Sequence, residues 1–166
     1  MFEKYGEFDS VEELNRAAEE LKVEEDAEKL RELCKENGID IEDAEDYLDG
    51  ATNELATPMM AAIGKLGIES RELNLKGVLL DWKDELILIA SAREEFARAI
   101  RRKGKELAGY IALLAENSYE NRIVVDRRIV DKAGKIKAIV GAHEFSIGIP
   151  DKRTRRQLAE KYYMEG

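Results

Sequence analysis

The sequence predicts a mainly α protein: a multi-helix bundle that carries an acidic helical subdomain at its N-terminal end. Three observations predict it. Only two prolines occur in 166 residues, and Glu, Lys, Leu and Ala, which lose little on entering a helix, are frequent. Charged side chains make up 38% of the chain, and the apolar residues between them recur at a helical period. Residues that start or stop helices punctuate the chain: Ser10, Thr57-Pro58, Asp126 and Pro150-Asp151 at starts, Asn37-Gly38 and Gly50 at ends.

Taken in order, Ser10 with Glu13 reads as a capping box, with Phe8 as a hydrophobic staple. It opens a helix of about 11–22 with Val11, Leu14, Ala17, Ala18 and Leu21 on one face. A second helix, about 25–37, buries Ala27, Leu30, Leu33 and Cys34, and a third runs over about 41–48. These form the acidic subdomain, residues 1–50; the larger core spans 57–166. Thr57-Pro58 opens a helix with Met59, Met60, Ile63 and Leu66 that Gly67 is expected to close, leaving 68–76 as a connector. Residues 77–92 are the most hydrophobic stretch, apolar round most of the circumference, so this helix is expected to be central and to bury Trp82. A helix over 93–102 with Phe96, Ala97 and Ile100 inward follows.

The stretch 101–121 runs from a basic start into a helix whose Leu107, Tyr110, Ile111, Leu114 and Ser118 share one side. Positive charge at a helix N-terminus is opposed by the macrodipole, so an anionic partner is one reason for Arg101, Arg102, Lys103 and Lys105. Asp126 caps the next helix, with Ile129, Val130 and Ala133 inward. Between 136 and 149 the alternation suits a short β-hairpin, and a helical turn followed by an extended loop suits the same residues. Pro150-Asp151 starts the last helix, with Leu158, Ala159, Tyr162 and Tyr163 inward.

The formal net charge of −9 hides an asymmetry: residues 1–57 hold 20 acidic and 6 basic side chains, residues 58–166 hold 16 and 21. Opposite halves suit partner surfaces, and acidic helices also serve as solvated faces. No apolar run is long enough for a membrane span, the N-terminus lacks the apolar core of a signal peptide, and Cys34 has no second cysteine to bridge. A cytoplasmic protein with no membrane partner is expected.

Enzyme chemistry finds little support, and no cofactor or metal is expected. His143 is the only histidine and has no serine or cysteine motif beside it, and no metal-ligand spacing occurs. Gly104-Lys105 fails as a phosphate loop because Ala99 and Glu106 stand where glycine and a hydroxyl residue are needed. The candidate sites are therefore binding surfaces. Two basic groups, Arg101-Arg102-Lys103-Lys105 and Lys152-Arg153-Arg155-Arg156, and the pair Arg127-Arg128 lie at helix starts, where DNA or RNA phosphates are readily held. The helices at 126–133 and 151–163 could form a degenerate helix-turn-helix, although their connector is long. Glu24, Glu25, Asp26 and Glu28 form an acidic counterpart.

In the C-terminal half, the basic pair with Lys103-Gly104-Lys105, then Leu107, Gly109-Tyr110-Ile111 and a helix, then Val125-Asp126 with Ile129-Val130, and finally Tyr162-Tyr163, resembles the PcfK-like proteins of conjugative elements and phages of Gram-positive bacteria. The FEKYGEFDS start and the Gly-Ile-Pro before the last helix are similar to accessory proteins of such elements. Departures are Tyr110, where relatives usually carry cysteine, the acidic N-terminal helices and the 136–149 insert. The group includes anti-CRISPR proteins, so the resemblance implies an inhibitor whose partner is a type II CRISPR nuclease with its guide RNA. Either the acidic face would occupy a basic channel of the nuclease, or the basic groups would hold guide RNA or target DNA. A DNA-associated accessory protein of a conjugative element or phage is the alternative, and a purely structural oligomerisation module a third.

Overall fold

Helix α4 (Pro58–Glu72) is the spine of the molecule, because both of the chain's apolar cores end on it. The computed structural model describes residues 2–165. On one side Ala61 joins a core built from α1 (Val11–Val23), α2 (Ala27–Asn37) and α3 (Ile41–Leu48), with Leu14, Leu30, Leu33 and Cys34 at its centre. On the other side Ala62 and Leu66 join a core built from α5 (Val78–Ala92), α6 (Glu94–Arg101), α7 (Leu107–Glu120) and α10 (Lys152–Met164), centred on Phe96, Ile100, Tyr110, Leu114 and Tyr163. Phe96 meets Tyr163 edge to face with centroids 5.7 Å apart. The chain is mainly α, as the sequence predicts, and no helix among the described residues is long and apolar enough to cross a membrane.

Local signals account for most helix boundaries. Ser10 Oγ accepts from the Glu13 backbone N–H at 3.2 Å, while Glu13 reaches back to the Asp9 N–H at 2.5 Å, one residue earlier than a standard capping box. Thr57 Oγ1, Asp126 Oδ1 and Asp151 Oδ1 each accept from the first turn of their helices, at 3.2, 2.8 and 2.7 Å. Gly38 ends α2 in the left-handed region at φ 70°.

Two expectations are corrected. Gly67 does not close α4, which continues to Glu72; the glycine points into open space, so its cost is only backbone entropy and the buried Ile68, Glu69 and Ser70 outweigh it. Helix α5 is not central. It buries Trp82, Glu85, Leu86 and Ala90 but exposes Val78, Leu80 and Leu88, the last at 66%. Composition reports how apolar a helix is and not how many neighbours it has, and the all-round burial belongs to the more polar α4.

The 136–149 insert combines both readings of its sequence. Helices α8 (Arg127–Lys132) and α9 (Gly134–Val140) are followed by β2 (Ser146–Ile147), which pairs antiparallel with β1 (Ile123–Val124) through Ile123↔Ile147 and Val124↔Ser146. The strand partner thus lies before α8, and the pair closes a small lobe over 122–149. Gly148 seats that lobe on the end of α7, because a Cβ there would overlap the Ser118 carbonyl.

Candidate binding surfaces

The basic groups read from the sequence divide sharply once their surroundings are known. Arg101 is not a surface residue: it is 1% exposed, donates from Nη2 to Asn37 Oδ1 at 2.9 Å and from Nη1 to the Phe8 carbonyl at 3.3 Å, and lies 5.8 Å from the Phe8 ring. Its sequence-predicted role as a partner contact is corrected to an internal bolt between the two cores. A buried cation needs acceptors. Those acceptors stand 64 and 93 residues away, where no local pattern reveals them.

Lys105 and Arg155 are likewise drawn inward. Lys105 Nζ donates to the Tyr162 carbonyl at 2.6 Å and ties the start of α7 to the end of α10. Arg155 donates to Glu85 Oε2 and to the Pro150 carbonyl, both at 2.7 Å, and joins α10 to α5. Arg127 bonds Asp131 at 3.2 Å and the Gly141 carbonyl at 2.7 Å, which clamps α8 to the end of α9. Arg102, Lys103, Arg128, Lys152, Arg153 and Arg156 remain exposed. Arg128 also grips its own helix cap, and its hydrogen bonds hold the Asp126 carboxyl below the usual range. Arg156 stands 3.6 Å from Glu85 Oε1 with half its side chain in solvent.

Beside Arg101 lies a second buried group that the sequence reading missed. Lys65, 1% exposed, donates to Glu7 Oε1 at 2.6 Å and to the Arg102 carbonyl at 2.7 Å, and its Nζ is 3.9 Å from Glu69 Oε1. Glu69 Oε2 accepts from the Leu107 N–H at 2.8 Å, while Oε1 has no hydrogen bond. Burial pushes the Glu69 carboxyl up to about 7, against the pull of the Leu107 N–H and Lys65. With the helix expected to end at Gly67, Glu69 falls in the connector, and only the continuation of α4 to Glu72 sets it at i, i+4 from Lys65. This cluster joins the halves, and beside it Glu69, Glu72, Leu73, Glu106 and Ala108 line a groove of about 280 Å³.

The acidic quartet sits at the turn between α1 and α2. Glu24, Glu25 and Glu28 are exposed, and Glu25 takes the left-handed conformation at φ 56°. Asp26 instead caps α2, accepting from the Lys29 N–H at 3.0 Å and pairing with its ammonium at 2.7 Å, which lowers its carboxyl's proton affinity.

The lobe adds an apolar component. Ile123, Val124, Ile129, Ile139, Ile147 and Ile149 are all exposed, and no residue of α9 is buried. Residues 122–156 carry ten basic and four acidic side chains, net +6. Exposed isoleucines within a net-cationic segment mark an interaction site more strongly than either feature alone. Helix α9 and β2 fill the connector between α8 and α10, so these two helices lack the short turn of a helix-turn-helix. His143, exposed in the loop after α9, lines a groove of about 360 Å³ with Arg127, Val130 and Phe145. Among the described residues no group of three or more His, Cys, Asp or Glu could hold a metal ion.

Compared with known protein families, curated proteins and solved structures, the chain matches none.

Proposed function

We propose that the protein acts by binding rather than by catalysis, as an inhibitor of a type II RNA-guided CRISPR nuclease. The observation that carries the reading is the segment 122–156, the lobe and the start of α10, in which exposed cations occur together with six exposed β-branched side chains. Phosphates are met by Arg128, Lys152 and Arg153, but six exposed β-branched side chains gain nothing from a phosphate backbone. A nuclease loaded with guide RNA offers both an anionic strand and apolar protein surface. The nature of the partner rests on the resemblance to PcfK-like proteins, and the occurrence of both kinds of side chain in one segment is what supports a ribonucleoprotein over naked duplex.

The test is protection of a plasmid from a type II CRISPR nuclease programmed against it, with binding measured to the nuclease alone and to its guide-loaded form. Protection is expected, with tighter binding to the loaded form. Changing Arg128, Lys152 and Arg153 together to Ala should weaken binding and flatten its salt dependence, since each lost phosphate contact removes a released counterion. Neutralising Glu24, Glu25, Asp26 and Glu28 should leave protection intact; loss of protection there would transfer the role to the acidic face. Complete cleavage in excess protein, across divergent nucleases, overturns the inhibitor reading in favour of a DNA-associated accessory protein of a conjugative element or phage.

A further inference from the structure

We propose that the protein also binds itself, with α9 of one copy seated in the acidic groove beside α3 of a second copy, and the reverse contact made at the same time. The inference begins with α9. None of its residues is buried, and Ile139 is 84% exposed, the most exposed large apolar side chain among the described residues. Ile139 follows Lys135 by four residues and Ile136 by three, so Ile139 neighbours both the ammonium and the half-buried Ile136 on the helix surface.

The surface that matches this face is on the same molecule. Between α3 and the start of α4 lies a groove of about 440 Å³ whose floor includes Leu55 and Met60 and whose rim carries Asp43 and Glu54, with no basic residue in its lining. An apolar knob with a neighbouring ammonium fits an apolar slot with carboxylates at its edge. The larger fields agree: residues 1–57 are net −14, and the lobe over 122–149, with six basic and three acidic side chains, is net +3. Each chain carries both surfaces, and made reciprocally between the same two copies the contact closes a two-fold dimer. Such a dimer covers the lobe, and self-association therefore competes with any other partner that uses α9.

Sedimentation equilibrium and light scattering on the full chain test this. The mass should rise with concentration from 18.8 kDa toward twice that value, and fall back as salt is added, because the rim pairs are screened. Ile139→Asp, at a solvent-exposed position, should remain monomeric with unchanged circular dichroism. The charge reversals are sharper. Lys135→Glu alone and Asp43→Lys with Glu54→Lys alone should each be monomeric, and the two variants mixed should form a heterodimer, since both contacts are then complementary again. A monomer at every soluble concentration, a dimer indifferent to Ile139→Asp, or the absence of a heterodimer in the mixture overturns the proposal. None of these results depends on nuclease inhibition.

Discussion

Gly38 and Gly64 meet backbone to backbone: a Cβ on Gly38 would stand 2.5 Å from the Gly64 carbonyl oxygen, and one on Gly64 would overlap the Asn37 carbonyl. Here the end of α2 presses against the middle of α4, closer than any side chain permits. Gly64→Ala should therefore force the helices apart and destabilise by about 2 kcal/mol or more. Gly67→Ala, one turn along the same helix with nothing near its Cβ, should be neutral or stabilising by roughly 0.5–1 kcal/mol. Urea unfolding of both variants checks the contrast, and equal effects would show that the contact is not tight.

Arg101 and Arg102 are adjacent in sequence and opposite in role. Arg101→Met should leave Asn37 Oδ1 and the Phe8 carbonyl without that donor and destabilise by roughly 2–4 kcal/mol. Arg102→Ala removes an exposed side chain and should cost less than about 0.5 kcal/mol. Thermal melts of the pair decide the matter; a tolerant Arg101→Met would mean that the bolt between the cores is dispensable.

Glu69 predicts an acid-side gain in stability. Its folded carboxyl holds a proton up to about pH 7, whereas the unfolded one releases it near 4.5. The folded state thus binds the extra proton between these values, so this contribution is complete below pH 4.5 and is lost as the pH rises to 7, by on the order of 3 kcal/mol. Glu69→Gln keeps an acceptor for the Leu107 N–H and cannot titrate. Denaturant midpoints should fall from pH 4.5 to 7 more steeply in the parent protein than in the variant, and identical slopes would remove Glu69 as the source.

On α5, Leu86 is fully buried and Leu88 is exposed. Leu86→Asp places an unpaired charge in the core and should unfold the larger half, while Leu88→Asp should leave the melting temperature within a few degrees. Trp82, buried about one helical turn from Leu86, reports the outcome by its emission. Equal damage from both substitutions would mean that α5 is covered on the side that exposes Leu88.

Local chemistry made the helices legible. Ser10, Thr57, Asp126 and Asp151 name their own helix starts, and Gly38 names an end, because a cap is made by residues within three or four positions. What the sequence concealed depends on long-range neighbours. The most apolar helix, α5, lies on a flank, while α4 is the spine because both cores end on it, with Lys65 and Glu69 buried there too. Of the residues proposed as basic contacts, Arg101, Lys105 and Arg155 serve as internal links, since an arginine in a sequence carries no sign of which carbonyl will claim it. The exposed isoleucines were read as inward or alternating, for periodicity reports a face and not its cover.

The buried ions that link the two cores bear on what happens when the chain is cut. Residues 50–54 are exposed and connect α3 to the segment leading into α4, so a protease could sever them without touching either core. The first piece would present the Phe8 carbonyl, Asn37 and Glu7, and the second would present Arg101 and Lys65 to match them. Each piece would carry half of a lock that satisfies its polar groups only when closed. The severed protein would hold together as a nicked complex, and the two pieces expressed separately would act as a complementing pair, with reassembly reporting directly on the Arg101–Asn37 contact.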